Sequence, residues 1–337
     1  MKRIGIVLLA AALFPALLMT ACSGTSGKDV AALILGVSQT PVFISARALS
    51  ETQAVFEFSK PVSVDALRFD PEVEIEAIED GSTVTALFSG ALLPGQRVVA
   101  EILAVDESGN TIHVLAPFRA RNDRVPPLLI TELRTEYSNP RAEFIEMLTT
   151  GAGNMGGLRV FIASNTSSPL VYEFPPVEAR SGERITLHLR QIEPESRDEL
   201  GDNLAESGGR DASPTARDLW VPGSAKLLRK TDIVYILDQD DNVLDAVALS
   251  ETSGATWPRS AFSDAADFLH RAGAWHSADG IALRPSDAVM SAGTTNTRTI
   301  NRDESLSRNS RSASDWYITV TSGATPGRPN NPGRFGN

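Results

Sequence analysis

The chain has 337 residues, enough for two domains of ordinary size, and 42% of them are hydrophobic, so each domain can bury its own core. The formal net charge of −11 and the lack of a basic stripe exclude a protein built to bind nucleic acid through its phosphates. The single cysteine excludes a disulfide within the chain and a zinc site made of several thiolates.

The first residues have the order of an export signal. A basic start, KR, precedes an apolar run over residues 4–18 that is too short to span a bilayer. The letters LLMTAC resemble the lipobox of bacterial lipoproteins, which implies a signal peptide over 1–21, a lipid-carrying thiol on Cys22 and a tether over 22–32. We therefore expect an outer-membrane lipoprotein that faces the periplasm or the cell surface. A cleaved signal peptide with an incidental cysteine is the alternative.

Residues 33–120 alternate apolar and polar side chains with the period of two that is typical of strands with one wet face. The stretch VEIEA at 73–77 shows this alternation, and turn signals such as PG and GN recur at short intervals. The motifs AVFEFSKPV and LLPGQRVVAEILAVDESGN resemble the bacterial Ig-like modules of surface-layer proteins. The resemblance implies an Ig-like β-sandwich in this part of the chain.

A polar segment, residues 121–127, ends in two prolines, which disfavour helix in the residues before them. It is predicted to link two domains. After it, apolar stretches such as LLITEL, EFIEML and DIVYIL predict strands again. We expect a second β domain over 128–331 and a short tail over 332–337.

The second domain is expected to carry insertions near residues 191–230 and 250–304. Within and beside them, the polar stretches 191–217 and 291–314 contain few apolar anchors and predict mobile loops. Between these stretches Ser263 can cap a short helix that a following glycine ends.

This second domain resembles the lamin tail domain, an Ig-like β-sandwich. The strands LLITEL and AEFIEML match the start of that family, and SLSR, DW and TPGRPNN match its ending, through Ser305, Arg308, Asp315, Trp316, Thr325, Pro326, Gly327 and Asn330. The resemblance implies that Trp316 lies in the core and that three strand glutamates, Glu132, Glu143 and Glu146, face solvent. The predicted fold class is all-β: two Ig-like β-sandwiches in tandem, the second with long loop insertions and a short helix.

Asp238, Asp240 and Asn242 alternate like the first ligands of a calcium loop. Val243 stands where the turn glycine of an EF-hand belongs, and Leu249 where its bidentate glutamate belongs. A hairpin turn explains the same residues and is the favoured interpretation, with a calcium site as the alternative. No other cofactor is expected.

The one candidate for catalysis is a set of paired carboxylates, Glu132, Glu143 and Glu146, for which a place on the sheet surface is the favoured interpretation. The four histidines are scattered without a metal-binding spacing, and the chain contains no GxSxG, phosphate-loop or GxGxxG motif. We therefore expect a protein that is not an enzyme. An accessory or cryptic exported hydrolase, associated with nucleases or phosphatases and using the inserted loops, is the alternative.

Three tryptophans, Trp220, Trp257 and Trp275, fall in or beside one long excursion of the second domain. Flat aromatic rings offer a large contact area at low entropic cost, so these residues are candidates for binding a protein or glycan ligand. Packing onto the sheet is the other reason for large aromatic residues in a loop. The expected function is binding or scaffolding at the membrane, without nucleic acid as a partner.

Overall fold

The computed structural model describes residues 39–165, 167–307 and 309–336. Cys22, the predicted signal peptide and the tether lie outside these residues, as does Arg308 of the C-terminal motif. The described part is mostly β structure, with one α-helix of 12 residues and two 3-10 helices, Pro285–Asp287 and Ala313–Asp315. The predicted all-β fold class is confirmed.

The first domain consists of strands β1 (Phe43–Ser50), β2 (Gln53–Asp70), β3 (Ile75–Glu79), β4 (Gly81–Phe88), β5 (Arg97–Val105) and β6 (Thr111–Arg119). The long strand β2 belongs to two antiparallel layers, since its first half pairs with β1 and β4 and its second half with β5. Alternation along the strands turns apolar side chains inward. Phe56, Phe69 and Phe118 meet edge to face or tilted in the core between the layers.

The second domain consists of strands β7 (Leu128–Arg134), β8 (Phe144–Thr149), β9 (Gly153–Asn154), β10 (Arg159–Ile162), β11 (Leu170–Glu173), β12 (Glu178–Ala179), β13 (Arg184–His188), β14 (Arg217–Trp220), β15 (Asp232–Leu237), β16 (Val243–Ser250), β17 (Val289–Met290), β18 (Ile300–Arg302) and β19 (Trp316–Ile318). One sheet has the order β14-β13-β8-β7-β18-β19, a second has the order β11-β10-β15-β16-β17, and β9 pairs with β12. The two larger sheets supply one continuous apolar core. Trp316 lies in this core, as the lamin tail resemblance implies.

The helix α1 (Ser260–Arg271) packs on β15 and β16. Its buried residues follow the spacing of one helical face: Phe262, Ala265, Ala266 and Leu269. It begins three residues before the predicted cap at Ser263, because Phe262 already belongs to the buried face. It ends just before Gly273, whose φ of 62° suits the residue after a helix. No helix among the described residues is long and apolar enough to cross a membrane.

The stretch 191–217, predicted to be mobile, is instead anchored by buried charged groups. The guanidinium of Arg217 is buried and donates to the Glu183 carboxylate and to the backbone carbonyl of Glu199. The buried carboxylate of Glu199 accepts hydrogen bonds from the backbone N–H groups of Glu206, Ser207 and Asp218. A buried charge requires such partners, and here much of the polar composition of the loop supplies them.

The stretch 291–314 is also anchored, although it was predicted to be mobile. Ser291, Thr294, Thr299 and Asn301 are buried within it. The hydroxyl of Ser291 donates to the carbonyl of Lys230 at 2.7 Å. In this stretch small polar side chains anchor the chain, although its scarcity of apolar side chains predicts a mobile loop.

The two domains meet backbone to backbone at a pair of glycines. Gly95 of the first domain lies against Gly156 of the second, and a Cβ built on Gly156 would come within 2.0 Å of the Pro94 carbonyl oxygen. A Cβ on Gly95 would come within 2.3 Å of the backbone of Gly156. Only glycine fits this approach on either side.

Polar contacts reinforce the junction. The side-chain amide of Asn122, in the predicted linker, donates to the carbonyl oxygens of Asn154 and Gly156, each at 2.8 Å. Glu173 of the second domain accepts hydrogen bonds from the guanidinium groups of Arg97 and Arg119 of the first. The division into domains over 33–120 and 128–331 stays a prediction, and the structure adds a closely fitted contact between the two parts.

The close contact between Gly95 and Gly156 predicts that a side chain at this position destabilises the fold. Gly156→Ala should lower the free energy of unfolding by about 1–3 kcal/mol, because its Cβ meets a backbone carbonyl that cannot rotate away. Urea unfolding of the mature chain measures this. Gly90→Ala is the matched control, since a Cβ there has no neighbour within 4 Å and φ lies outside the left-handed region. Equal effects of the two substitutions would contradict close packing at the junction.

Candidate functional site

An open cavity of about 610 Å³ lies on the second domain, and four of the residues that line it are arginines. They come from four parts of the chain: Arg134 from the end of β7, Arg141 from the β7–β8 connection, Arg210 from the first insertion and Arg328 from the C-terminal segment. One acidic residue, Asp211, lines the cavity with them. The cavity is therefore positively charged, although the chain as a whole has a net charge of −11.

Arg134 forms the fixed part of this site. Its side chain is 2% exposed, and both terminal nitrogens of its guanidinium pair with the Asp211 carboxylate. Nη1 also donates to the carbonyl of Ala142 at 3.2 Å, and the guanidinium lies 4.8 Å from the ring centroid of Phe144. These contacts neutralise the charge of Arg134 and fix its orientation.

The other three arginines of the cavity keep their charge uncompensated. Arg141, Arg210 and Arg328 form no ion pair with any residue that the structure describes. The hydroxyl-bearing residues Ser213, Thr297 and Ser322 also line the cavity. The site therefore offers hydrogen-bond donors and positive charge, which is the chemistry of anion recognition.

A buried acid–base pair supports the insertion that lines the cavity. The Asp218 carboxylate lies 2.7 Å from Nε2 of His188 and accepts a hydrogen bond from the backbone N–H of Ser213, also at 2.7 Å. The His188 ring stacks on Trp220, with 3.8 Å between ring centroids. His188 and Asp218 are fully buried, and the hydrogen bond to the Asp218 carboxylate holds the backbone of Ser213 in place.

The opposite wall is the C-terminal segment, which two buried glutamates hold in place. Glu132 accepts hydrogen bonds from the backbone N–H and the hydroxyl of Thr325, and Glu146 accepts one from the backbone N–H of Gly327 at 2.6 Å. Gly327 has a φ of 73°, and a Cβ on it would come within 2.4 Å of Ser213. The TPG motif is therefore explained by close contact between the two walls of the cavity.

These contacts correct the expectation that Glu132, Glu143 and Glu146 face solvent. All three are fully buried. Glu146 alternates with the core residues Ile145 and Met147, so it lies on the other face of the sheet, and the C-terminal segment covers that face. Glu143 is paired through both carboxylate oxygens with the guanidinium of Arg190, at 2.6 and 2.7 Å.

Burial changes the acidity of this pair of glutamates. Burial and then the charge of Glu132 raise the pKa of Glu146 to about 7, and the ion pair with Arg184 and the hydroxyl of Thr131 only partly oppose this. Burial raises the pKa of Glu132 as well. Hydrogen-bond donors of the protein occupy both carboxylates, so their role in this geometry is to hold the C-terminal segment.

The structure places two of the three candidate tryptophans in the interior. Trp220 is 3% exposed and Trp275 is 1% exposed, and their indole N–H groups donate to the Ser207 hydroxyl and the Asp287 carbonyl. Trp257 is half-buried, and its N–H donates to a backbone carbonyl at 2.9 Å. Trp220 and Trp275 therefore pack the excursion onto the domain and are not surface anchors for a ligand.

The candidate calcium residues form a hairpin turn between β15 and β16. One carboxylate oxygen of Asp238 accepts the backbone N–H groups of Asp240 and Asn242, at 2.8 and 2.9 Å. Asp240 lies 3.2 Å from the guanidinium of Arg121. Within residues 39–165, 167–307 and 309–336, no three His, Cys, Asp or Glu side chains gather as a metal ion requires.

Sequence reasoning missed the four cavity arginines because they are far apart in the chain and share no motif. The TPGRPNN ending is the only local signal, since it contains Arg328. Sequence reasoning also missed the contact between His188 and Asp218. These two residues are brought together by the pairing of β13 with β14. Neither set of residues has a spacing that predicts proximity.

Comparison with known proteins gives one family and weak structural likenesses. A family model, TP_1001_2nd, described as a protein second domain, matches residues 126–318. An uncharacterized protein of Treponema pallidum (strain Nichols) is 34% identical over 134 residues, which are 38% of this chain and 34% of that protein. The chain thus matches about a third of the length of this relative.

Solved structures of the S-layer protein SbsC are also similar in part. Its N-terminal part has 14% identity and a TM-score of 0.26, covering 66% of this chain and 46% of that one. Its domains 1–6 have 12% identity and a TM-score of 0.25, covering 66% and 42%. Scores this low carry no argument about function.

The burial of the tryptophans predicts a stability effect. Trp220→Ala and Trp275→Ala should each lower the free energy of unfolding by about 3–5 kcal/mol, because each removes a large buried side chain and leaves a cavity. Urea unfolding measures the loss. Trp257→Ala should cost less, since that ring is already half in solvent. An unchanged stability for the first two variants would show that they are exposed.

The raised pKa of Glu146 predicts a pH dependence of stability. The folded state binds this proton more tightly than the unfolded chain, whose pKa is near 4.5. The stabilisation is therefore complete below that value and is lost as the pH rises through about 7, amounting to about 3 kcal/mol. Urea unfolding across this pH range should show a smaller loss for Glu146→Gln, which cannot ionise.

Glu76→Gln is the matched control for this experiment. It makes the same chemical change at an exposed position of the first domain. Its stability should follow the pH dependence of the wild type. A Glu146→Gln variant that follows the same curve would rule out this carboxyl as the source.

Proposed function

We propose that this chain, which belongs to the TP_1001_2nd family over residues 126–318, has a binding and scaffolding role in the bacterial cell envelope. In this proposal the protein is not an enzyme. In this proposal a lipid on Cys22 anchors the protein to the outer membrane. The Ig-like module over 33–120 and the lamin tail-like module over 128–331 extend from that anchor. The lipobox-like ending LLMTAC supports lipid attachment, and Ser23 in place of an aspartate supports transfer to the outer membrane.

The observation that carries the binding role is the composition of the arginine-lined cavity. Its lining includes three hydroxyl-bearing residues but no histidine, and its single carboxylate, of Asp211, is paired with Arg134. General acid–base chemistry needs a proton acceptor within hydrogen-bond reach of the reacting group. A cavity with many donors and one neutralised acid favours holding a ligand over hydrolysing it.

The junction between the domains supports the scaffolding part of the proposal. The contact of Gly95 with Gly156 and the pairing of Glu173 with two arginines fix the second domain against the first. The two domains would then present the cavity as one stiff unit beyond the tether. Stiff presentation lowers the entropic cost of binding a partner.

Lipid attachment is tested by Cys22→Ser in the native host. The variant should lose labelling by radioactive palmitate and move from the membrane to the soluble fraction, because no other thiol is available. Ser23→Ala, one residue away, is the control and should keep both label and membrane location. A serine variant that remains labelled and membrane-bound would refute the anchor.

The binding role is tested separately by capture from crosslinked envelopes with the tagged mature chain. A specific envelope component should be retained, and an excess of untagged mature chain should compete it away. Turnover of an envelope substrate by the purified chain would instead favour the hydrolase alternative.

A further inference from the structure

We infer that the arginine-lined cavity binds a ligand that carries two linked phosphate groups. The inference rests on the proposed binding role and specifies its ligand class, and it is independent of the lipid anchor. The net charge of the cavity, its donor set and its volume each point to this class.

The charge of the cavity fits a diphosphate. Four guanidinium groups and one carboxylate leave three positive charges, since Asp211 compensates Arg134. The three charges belong to Arg141, Arg210 and Arg328, which have no ion-pair partner in the described part of the chain. Two linked phosphate groups carry roughly three negative charges at neutral pH. A single carboxylate would compensate only one of the three arginines.

The donors of the cavity also favour phosphate over carboxylate. Each guanidinium presents five N–H donors in a planar fork, and three hydroxyl-bearing residues, Ser213, Thr297 and Ser322, lie among them. A terminal phosphate offers three acceptor oxygens, whereas a carboxylate offers two. Arg134 is buried and its terminal nitrogens donate to Asp211 and Ala142, so it shapes the cavity and leaves ligand recognition to the other three arginines.

The size of the cavity and the charge of the whole chain limit the kind of molecule. A volume of about 610 Å³ holds a diphosphate with a substituent attached. The net charge of −11 repels a long polyanion such as nucleic acid outside the cavity. The ligand is therefore a small diphosphate ester or the diphosphate headgroup of a lipid.

Calorimetry with inorganic pyrophosphate and the mature chain tests the inference. Arg141→Gln, Arg210→Gln and Arg328→Gln should each weaken binding by about tenfold, because each removes charge-assisted hydrogen bonds. Arg134 is left intact, since its loss would leave Asp211 without its partner. Arg68→Gln on β2 is the matched control: it removes the same charge from an exposed site in the first domain and should not change the affinity.

Orthophosphate and citrate complete the soluble arm of the experiment. Pyrophosphate should bind at least about tenfold more tightly than either, because only it pairs two phosphates with the three free arginines. Equal binding of citrate, or an equal loss in Arg68→Gln, would overturn the inference.

Vesicles that contain a lipid with a diphosphate headgroup form the second arm and identify the source of the ligand. Cosedimentation that Arg141→Gln and Arg328→Gln abolish supports a lipid headgroup, and tight binding of free pyrophosphate without cosedimentation supports a soluble ester. Absence of binding in both arms overturns the inference. Envelope capture that succeeds while both arms fail leaves the proposed binding role standing with a different ligand class.

Discussion

The architecture of the second domain depends on two carboxylates buried on adjacent strands. Glu132 of β7 and Glu146 of β8 are cross-strand neighbours, and each accepts a backbone N–H from the C-terminal segment. A buried carboxylate without donors is strongly destabilising, and so is an unpaired backbone N–H under a sheet. The two glutamates therefore accept the hydrogen bonds that the C-terminal segment has to donate. These hydrogen bonds hold the segment against β7 and β8, the first two strands of the domain.

The arginine-lined cavity exists because these hydrogen bonds hold the C-terminal segment in place. Thr325 and Gly327, held by the glutamates, set the course of the chain on which Arg328 lies. At Gly327 the segment touches Ser213 of the insertion, whose position depends on the buried pair of Asp218 and His188. Two independent polar clusters thus bring the walls together. The presence of arginines from four parts of the chain in one cavity is therefore a consequence of how the domain is closed.

The sequence predicted the strands well because period-two alternation is a local property of the chain. It did not predict what covers a strand. Glu146 alternates with core residues and was expected to face water, but the group that buries it, Gly327, lies 181 residues further along the chain. The same limit applies to the candidate site, since Arg134 and Asp211 are 77 residues apart. The local sequence pattern shows which face of a strand is polar. Whether that face is buried depends on segments that are distant in the sequence and pack over it.

Two hairpins, one in each domain, share a hydrogen-bond pattern. In the second domain Asp238 accepts the backbone N–H groups two and four residues later, and the intervening acids suggested a calcium loop. In the first domain Asp106 accepts the N–H groups of Ser108 and Asn110 with the same offsets, at 2.9 and 2.8 Å. That hairpin has a serine where the other has an acid, yet its turn has the same hydrogen bonds. The second acid is therefore not required for these hydrogen bonds, and both turns also place a residue with positive φ just before the asparagine: Gly109 with a φ of 81° and Asp241 with a φ of 64°.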